Sequence, residues 1–172
     1  MEKILIVYYS RKGQNYVNGT VQNLVKGNTE IVAETIQKLV GGDLFEIETV
    51  KVYPADFMAC VEIARLEIEY NIRPELKSYP ANFEEYDVIF LCFPIWFGIP
   101  PMAIATFLEH YDFSGKKIFP VTTHDGSGLG GSIKFLKRTC PSGIIVARGL
   151  AVLGAEVNQS AAQIERWLKN FF

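Results

Sequence analysis

Ser10 closes an apolar stretch that begins at Lys3, and Gly27-Asn28-Thr29 opens a stretch with helical spacing. A helix that starts on Gly, Asn and Thr presents unpaired backbone N–H groups at the positive end of its dipole, with small polar side chains beside them. Such a place holds phosphate without a dedicated cation; the alternative is an ordinary capped turn that binds nothing. A second group is Pro94-Ile95-Trp96-Phe97-Gly98-Ile99-Pro100-Pro101. Two large aromatics between prolines at a loop tip are costly to leave in water, so they either cover something flat or plug the core from above. The third group, Thr122 to Ser132, holds Gly126, Gly128, Gly130 and Gly131 within six residues. There the backbone can come very close to a ligand with its N–H groups turned inward.

Gly126, Gly128 and Gly131 also match the G-x-G-x-x-G pattern of dinucleotide sites. That pattern belongs in the first strand–helix unit, with an acidic residue about 20 residues on. Here it falls late in the chain, and the next acidic residue is Glu156, so a nicotinamide-dinucleotide fold is disfavoured. Cys60, Cys92 and Cys140 lie far apart, with no Cys-x-x-Cys and no His at ligand spacing, so no metal site is expected. The net charge of −2 excludes a strong pull on nucleic acid or anionic membrane. Residues 1–86 carry 9 basic and 13 acidic side chains, and residues 87–172 carry 8 and 6. No signal-like segment precedes the first apolar stretch and no apolar stretch is long enough to span a bilayer, so a cytoplasmic protein is expected.

The elements that must position these groups alternate along the chain. Lys3–Tyr9 and Asp87–Phe93 are continuous apolar runs of the kind buried on both faces of a parallel sheet. Leu44–Thr49 alternates, as an edge strand with one wet face would; Lys117–Thr123 is a fourth strand in which Pro120 suggests a bulge, and Ala147–Leu153 a fifth. Helices are predicted over Thr29–Val40, with Val32, Ile36, Leu39 and Val40 inward, and from a cap at Asp56 to about Tyr70. Pro101 fits the first turn of a third, Ser132–Thr139 is a fourth, and Asn158 caps a last one through Ile164, Trp167 and Leu168. Five strands interleaved with helices give a parallel sheet covered on both faces, in one domain over residues 1–172. In such a sheet, ligands sit beyond the carboxyl ends of the strands, where all three groups fall.

Lys3-Ile4-Leu5-Ile6-Val7-Tyr8-Tyr9-Ser10, Gly27-Asn28-Thr29 with Val32-Ala33, Pro94-Ile95-Trp96-Phe97-Gly98 and Gly126-Ser127-Gly128 together resemble the flavodoxin family over nearly the whole chain. The resemblance implies an α/β three-layer sandwich with a five-stranded sheet of order 2-1-3-4-5 and a non-covalent flavin mononucleotide (FMN). It implies that Ser10, Asn28 and Thr29 bind the phosphate; apart from the resemblance, Lys12 would add positive charge near it, and Asn15 and Tyr16 would stand at the base of the segment that follows Ser10. Pro94, Ile95, Trp96, Phe97 and Gly98 would flank the isoalloxazine, and Thr123, His124, Gly126, Ser127 and Gly128 would close its other edge. An aromatic on the ring disfavours the anionic hydroquinone and lowers the potential of the second reduction. Gly98 could let a peptide beside the ring flip.

Two features depart from the family pattern. Residues 11–26 interrupt the phosphate loop, and Asn18-Gly19 between Tyr16-Val17 and Thr20-Val21 signals a hairpin, read either as decoration or as a flap over the site. The charge of −2 also lacks the acidity typical of carrier flavodoxins. Three functions compete: a low-potential electron carrier between redox partner proteins, a small FMN-dependent NAD(P)H:quinone-type oxidoreductase using a quinone-like acceptor, and a non-enzymatic flavin-binding interaction module. The expected assembly is a monomer or homodimer. No catalytic residue is assigned beyond His124 as the one candidate proton donor, and a lone loop His is more often a structural hydrogen-bonder.

Overall fold

The two continuous apolar runs become the middle of a parallel sheet in the computed structural model, which describes residues Met1–Phe172. Ile4–Tyr8 (β1) is followed by Gly13–Val17 (β2) and Thr20–Leu24 (β3), then Asn28–Val40 (α1) and Asp43–Glu46 (β4). Phe57–Glu69 (α2) precedes Val88–Pro94 (β5), Met102–His110 (α3), Lys117–His124 (β6) and Ser132–Thr139 (α4). Ile144–Ile145 (β7), Leu150–Leu153 (β8) and Ala161–Leu168 (α5) complete the chain. The main sheet runs β4-β1-β5-β6, with β7 and β8 both on the outer edge of β6. All its pairings are parallel. Counted without the β2–β3 hairpin, which pairs only with itself, this is the expected order 2-1-3-4-5.

Alternate side chains of the central strands feed two cores. Leu5, Val7, Ile89, Leu91 and Phe93 join Ile104, Phe107, Phe113 and Leu136 on the face covered by α3 and α4. Ile6, Tyr8, Phe90, Phe119 and Val121 join Val32, Ile36, Ile164 and Trp167 on the face covered by α1 and α5. Each fully buried large apolar side chain is worth about 1.5–3 kcal/mol, so the strand centres hold the frame while the loops at their ends remain free to carry function. The three cysteines are buried and unpaired, and Cys92 sits wholly inside the second core. No helix is long and apolar enough to cross a membrane.

Five expectations change. The fifth strand is broken, and Pro120 is the reason. Ile144 and Val146 donate their N–H groups to the carbonyls of Lys116 and Ile118, so even-numbered residues of β6 face the edge strand. Pro120 would have to donate on that same side and has no N–H. The edge pairs at Lys117–Ile118, lets go, and resumes at Val121 two residues out of register. β6 itself runs through unbulged. Leu39 is exposed because the buried stripe of α1 is Thr29, Val32, Ala33 and Ile36. Asn158 does not cap the last helix: burial of Val157 continues a 3-10 turn to Gln159, and α5 starts after Ser160. The strand expected over Leu44–Thr49 is assigned only over Asp43–Glu46, although its alternation persists beyond: Glu46 and Glu48 are exposed while Ile47 and Thr49 are buried.

The hairpin forms as its sequence predicts. Val17 pairs with Thr20 and Tyr16 with Val21, and Asn18 and Gly19 turn the corner with φ of 52° and 81°.

Candidate functional site

Beyond the carboxyl ends of β1, β5 and β6 lies a cleft of about 470 Å³, within the range of small-molecule sites. Its polar end is the first turn of α1. The backbone N–H groups of Asn28 and Thr29 donate to no acceptor in the protein, as expected for the first turn of a helix. The side chain of Thr29 is 2% exposed, and its hydroxyl lies 2.7 Å from that of Thr123 on β6. Only one of the two can donate across that bond, so the other has a proton to offer elsewhere.

Ser10 plays a supporting part. Its Oγ accepts the N–H of Glu30 at 3.1 Å, capping α1 from twenty residues away and joining the two halves of the cradle. Ser10 and Lys12 line a groove on the outer side of the hairpin root, beside Glu46, and not the cleft itself. Gly27 makes the junction feasible: a Cβ there would lie 2.1 Å from Ser10 Oγ and 2.7 Å from the Arg11 carbonyl oxygen.

The other end of the cleft is aromatic. Trp96 N–H donates to the Ile99 carbonyl at 2.9 Å and Ile99 N–H returns to the Trp96 carbonyl at 3.2 Å. Phe97 and Gly98 between them have φ of 53° and 78°, so Phe97 sits in a conformation that large side chains avoid, at a cost of order 1–3 kcal/mol. The tertiary structure enforces it. Gly131 donates its N–H to the Gly98 carbonyl at 2.7 Å, and Gly130 has no room for a Cβ against the same carbonyl. The peptide after Gly98 is therefore fixed at both ends, and the freedom expected of Gly98 lies in the Phe97–Gly98 peptide. Trp96 is half-buried, packed edge-on against Tyr9 and Tyr53 at 5.3 and 5.4 Å, whereas Phe97 is 55% exposed. Tyr53 is held in turn by donation to Glu67 Oε2 at 2.6 Å, and burial raises the Glu67 carboxyl above its ordinary range. One aromatic is thus partly a plug and the other stands clear.

Thr123, His124 and Ser127 line the cleft, while Gly126 and Gly128 shape the loop from behind. His124 Nδ1 accepts the Gly126 N–H at 2.9 Å, which puts the single ring proton on Nε2. Burial lowers its pKa below the ordinary 6.5, and Asp125 opposes the shift only in part. The unfolded chain therefore binds a proton more readily than the folded one. The loop's stabilisation is full above about pH 6.5 and lost as pH falls through the lower folded value. Denaturant unfolding of wild type between about pH 7.5 and pH 5 is expected to show this loss, and His124→Gln to lack it. Parallel pH profiles for the two proteins would contradict the assignment.

Residues that sequence reasoning missed come mainly from α2. Phe57, Met58, Cys60, Val61 and Ala64 form an apolar wall of the cleft. Phe57, Cys60 and Ala64 read as an ordinary core stripe, but Met58, 66% exposed, and Val61 lie off that stripe and were the available signal. Gly154 also lines the cleft, a Cβ there lying 2.8 Å from Asn28 Nδ2.

The hairpin crosses this space. At its root, Asn15 Nδ2 donates to the carbonyls of Arg11 and Gly13, and Arg11 donates to those of Gln14, Pro54 and Ala55. Arg11 is thereby committed to bracing, although it borders the cleft. Gln14 Oε1 accepts the N–H of Phe57, and Tyr16 stacks on the Phe57 ring. At the tip, Asn18 N–H donates to Asp125 Oδ1 at 2.7 Å. The insertion is therefore a strap from α1 to α2 to the β6 loop.

The family model for flavodoxin matches residues 3–171. Among solved structures, a candidate flavoprotein from Bacteroides eggerthii is 29% identical, with a TM-score of 0.78 over 99% of this chain and 98% of its own. A second candidate flavoprotein, from Bacteroides uniformis, is 28% identical with a TM-score of 0.77 over 98% of each chain. A Lactobacillus acidophilus flavoprotein solved in complex with FMN shares the fold at 22% identity, with a TM-score of 0.70 over 92% of this chain and 98% of its own. No curated protein matches the sequence.

Proposed function

The chain belongs to the flavodoxin family, and from that premise we propose that its cleft binds FMN and that it is an electron carrier between redox proteins. The observation that supports this most is the pairing of unused Asn28 and Thr29 amides at one end of the cleft with Trp96 and Phe97 at the other. A phosphate fits the first and a flat conjugated ring fits the second. Asn28, Thr29 and Thr123 would hold the phosphate end; Trp96, Phe97 and Tyr16 would bound the ring. FMN supplies reversible one- and two-electron chemistry when bound; the protein supplies orientation, exclusion of water and electrostatics. The fixed turn at Trp96–Ile99 keeps its aromatics in place, and the strap excludes water from one side.

A carrier reading suits a site with few groups for proton chemistry. His124 has one ring nitrogen tied to Gly126, and no other His lines the cleft. Phe97, exposed at the rim, offers a contact for a protein partner. A second reading, oxidation of a nicotinamide by a quinone-like acceptor, draws on the apolar wall of Phe57, Met58 and Val61, which could receive a flat substrate. Steady-state assay of the FMN-loaded protein with NADH or NADPH and a soluble quinone separates the two. The carrier account expects negligible turnover, together with reoxidation of the dithionite-reduced protein by a haem protein. Sustained nicotinamide oxidation that depends on the quinone would overturn it.

A further inference from the structure

The acidic and basic residues are unevenly distributed in this chain, and the imbalance falls beside the Phe97 turn. From Gly126 to Ala155 there are four Lys or Arg residues and no Asp or Glu; the remaining 13 basic and 19 acidic residues leave the rest of the chain at −6. Three of the four cations, Lys134, Lys137 and Arg138, lie on α4. All three are exposed, and none is in an ion pair, whereas eight salt bridges neutralise basic residues elsewhere. With Gly130, Gly131 and Ile133 they line a shallow, open depression. Those two glycines are the ones locked to Gly98, so the basic patch and the exposed Phe97 ring share one rigid support.

We infer that α4 and the Phe97 turn form a docking surface for an acidic partner protein, with Phe97 as the apolar anchor and Lys134, Lys137 and Arg138 as a charged rim. The inference builds on the carrier reading, because it places a protein partner at the mouth of the cleft. An exposed aromatic held in a strained conformation, on the same support as a group of unpaired cations, offers the two parts of a protein interface, an apolar contact and a charged rim. Unpaired cations steer an approaching anionic surface and fix its orientation more than they add affinity. Three cations on a two-turn helix are too few and too compact to follow a nucleic-acid backbone.

Two haem proteins of opposite charge test it: cytochrome b5, which is acidic, and cytochrome c, which is basic. Each is titrated into isotopically labelled full-length protein, with calorimetry and amide chemical shifts as readouts. Flavin absorbance of the same samples reports separately whether FMN is bound. At low salt, cytochrome b5 is expected to perturb the amides of Gly98 and Gly130 to Arg138, and to bind about tenfold more weakly as salt rises to physiological strength. Lys134→Gln, Lys137→Gln and Arg138→Gln combined should weaken that binding about tenfold and leave the cytochrome c titration unchanged. Cytochrome b5 shifts located elsewhere, equal affinity in the triple variant, or tighter binding of a single-stranded RNA than of cytochrome b5 would each overturn the proposal. If the patch binds as expected but no flavin is taken up, the cofactor reading fails and the docking surface stands; if flavin is bound and the patch is silent, the reverse holds.

Discussion

Replacing residues 14–24 by a two-residue link is expected to speed FMN release tenfold or more, with the parallel sheet unchanged. The hairpin shares no pairing with that sheet, so its removal leaves β1, β4, β5 and β6 as they are. It does remove the bond from Asn18 N–H to Asp125, the Gln14 acceptor for Phe57 N–H and the Tyr16 ring over Phe57. A hydrogen bond to a charged carboxylate contributes about 1.5–3 kcal/mol, and a barrier lower by that much changes a rate by roughly tenfold to a hundredfold. Stopped-flow measurement of flavin fluorescence after dilution gives the rate directly. Limited proteolysis reports the same strap from the other side: cleavage between Asn18 and Lys26 should be rapid without FMN and suppressed with it. Equal release rates in the two proteins, with unchanged proteolysis, would reduce the insertion to surface decoration.

The second large effect is expected from a single methyl group. Gly27→Ala puts a Cβ within 2.1 Å of Ser10 Oγ and 2.7 Å of the Arg11 carbonyl oxygen. The backbone at Gly27 has φ of −66°, which alanine adopts freely, so the obstacle is space alone. Relief requires that β1 and the start of α1 separate, which breaks the Ser10–Glu30 cap and turns the Asn28 and Thr29 amides away from a common point. FMN affinity should fall on the order of a hundredfold, about 2.8 kcal/mol. Riboflavin has no phosphate, and its weaker binding should change by less than about threefold. Unfolding free energy should fall by about 1–3 kcal/mol, the usual range for overpacking. Isothermal titration with both flavins checks this; equal losses for the two would mean that the cradle does not serve the phosphate.

Both predictions rest on features that reading the residues in order brings out unequally. Continuous apolar runs announced β1 and β5, since a strand buried on both faces has no alternative composition. Asn18-Gly19 announced the hairpin and its register, because two consecutive positive-φ positions need those residue types. The three cleft loops were visible by composition for the same reason: glycine and proline act through local geometry. What the sequence withheld depends on contacts between distant segments. Ser10 reads as a ligand-binding hydroxyl, yet it caps a helix twenty residues away. The α2 wall reads as core, because a stripe facing a cleft and a stripe facing a sheet share one periodicity. Pro120 signalled an irregularity, but only the parity of β6 decides that the neighbouring edge strand breaks. The balance of −2 conceals a basic surface beside the Phe97 turn, since net charge carries no position.

The central claim is that the cleft is an FMN site with its phosphate on α1 and its ring by Trp96. Titration of the flavin-free protein with FMN, followed by visible absorbance and tryptophan fluorescence together, tests both ends at once. The account predicts saturation at one FMN per chain, with strong quenching of Trp96 and a nearly constant signal from Trp167, which is buried on the inner side of α5 and donates to the Arg148 carbonyl. Trp96→Phe should bind FMN and lose the quenching. A protein that stays colourless with excess FMN, or quenching that is the same in Trp96→Phe as in wild type, would contradict it.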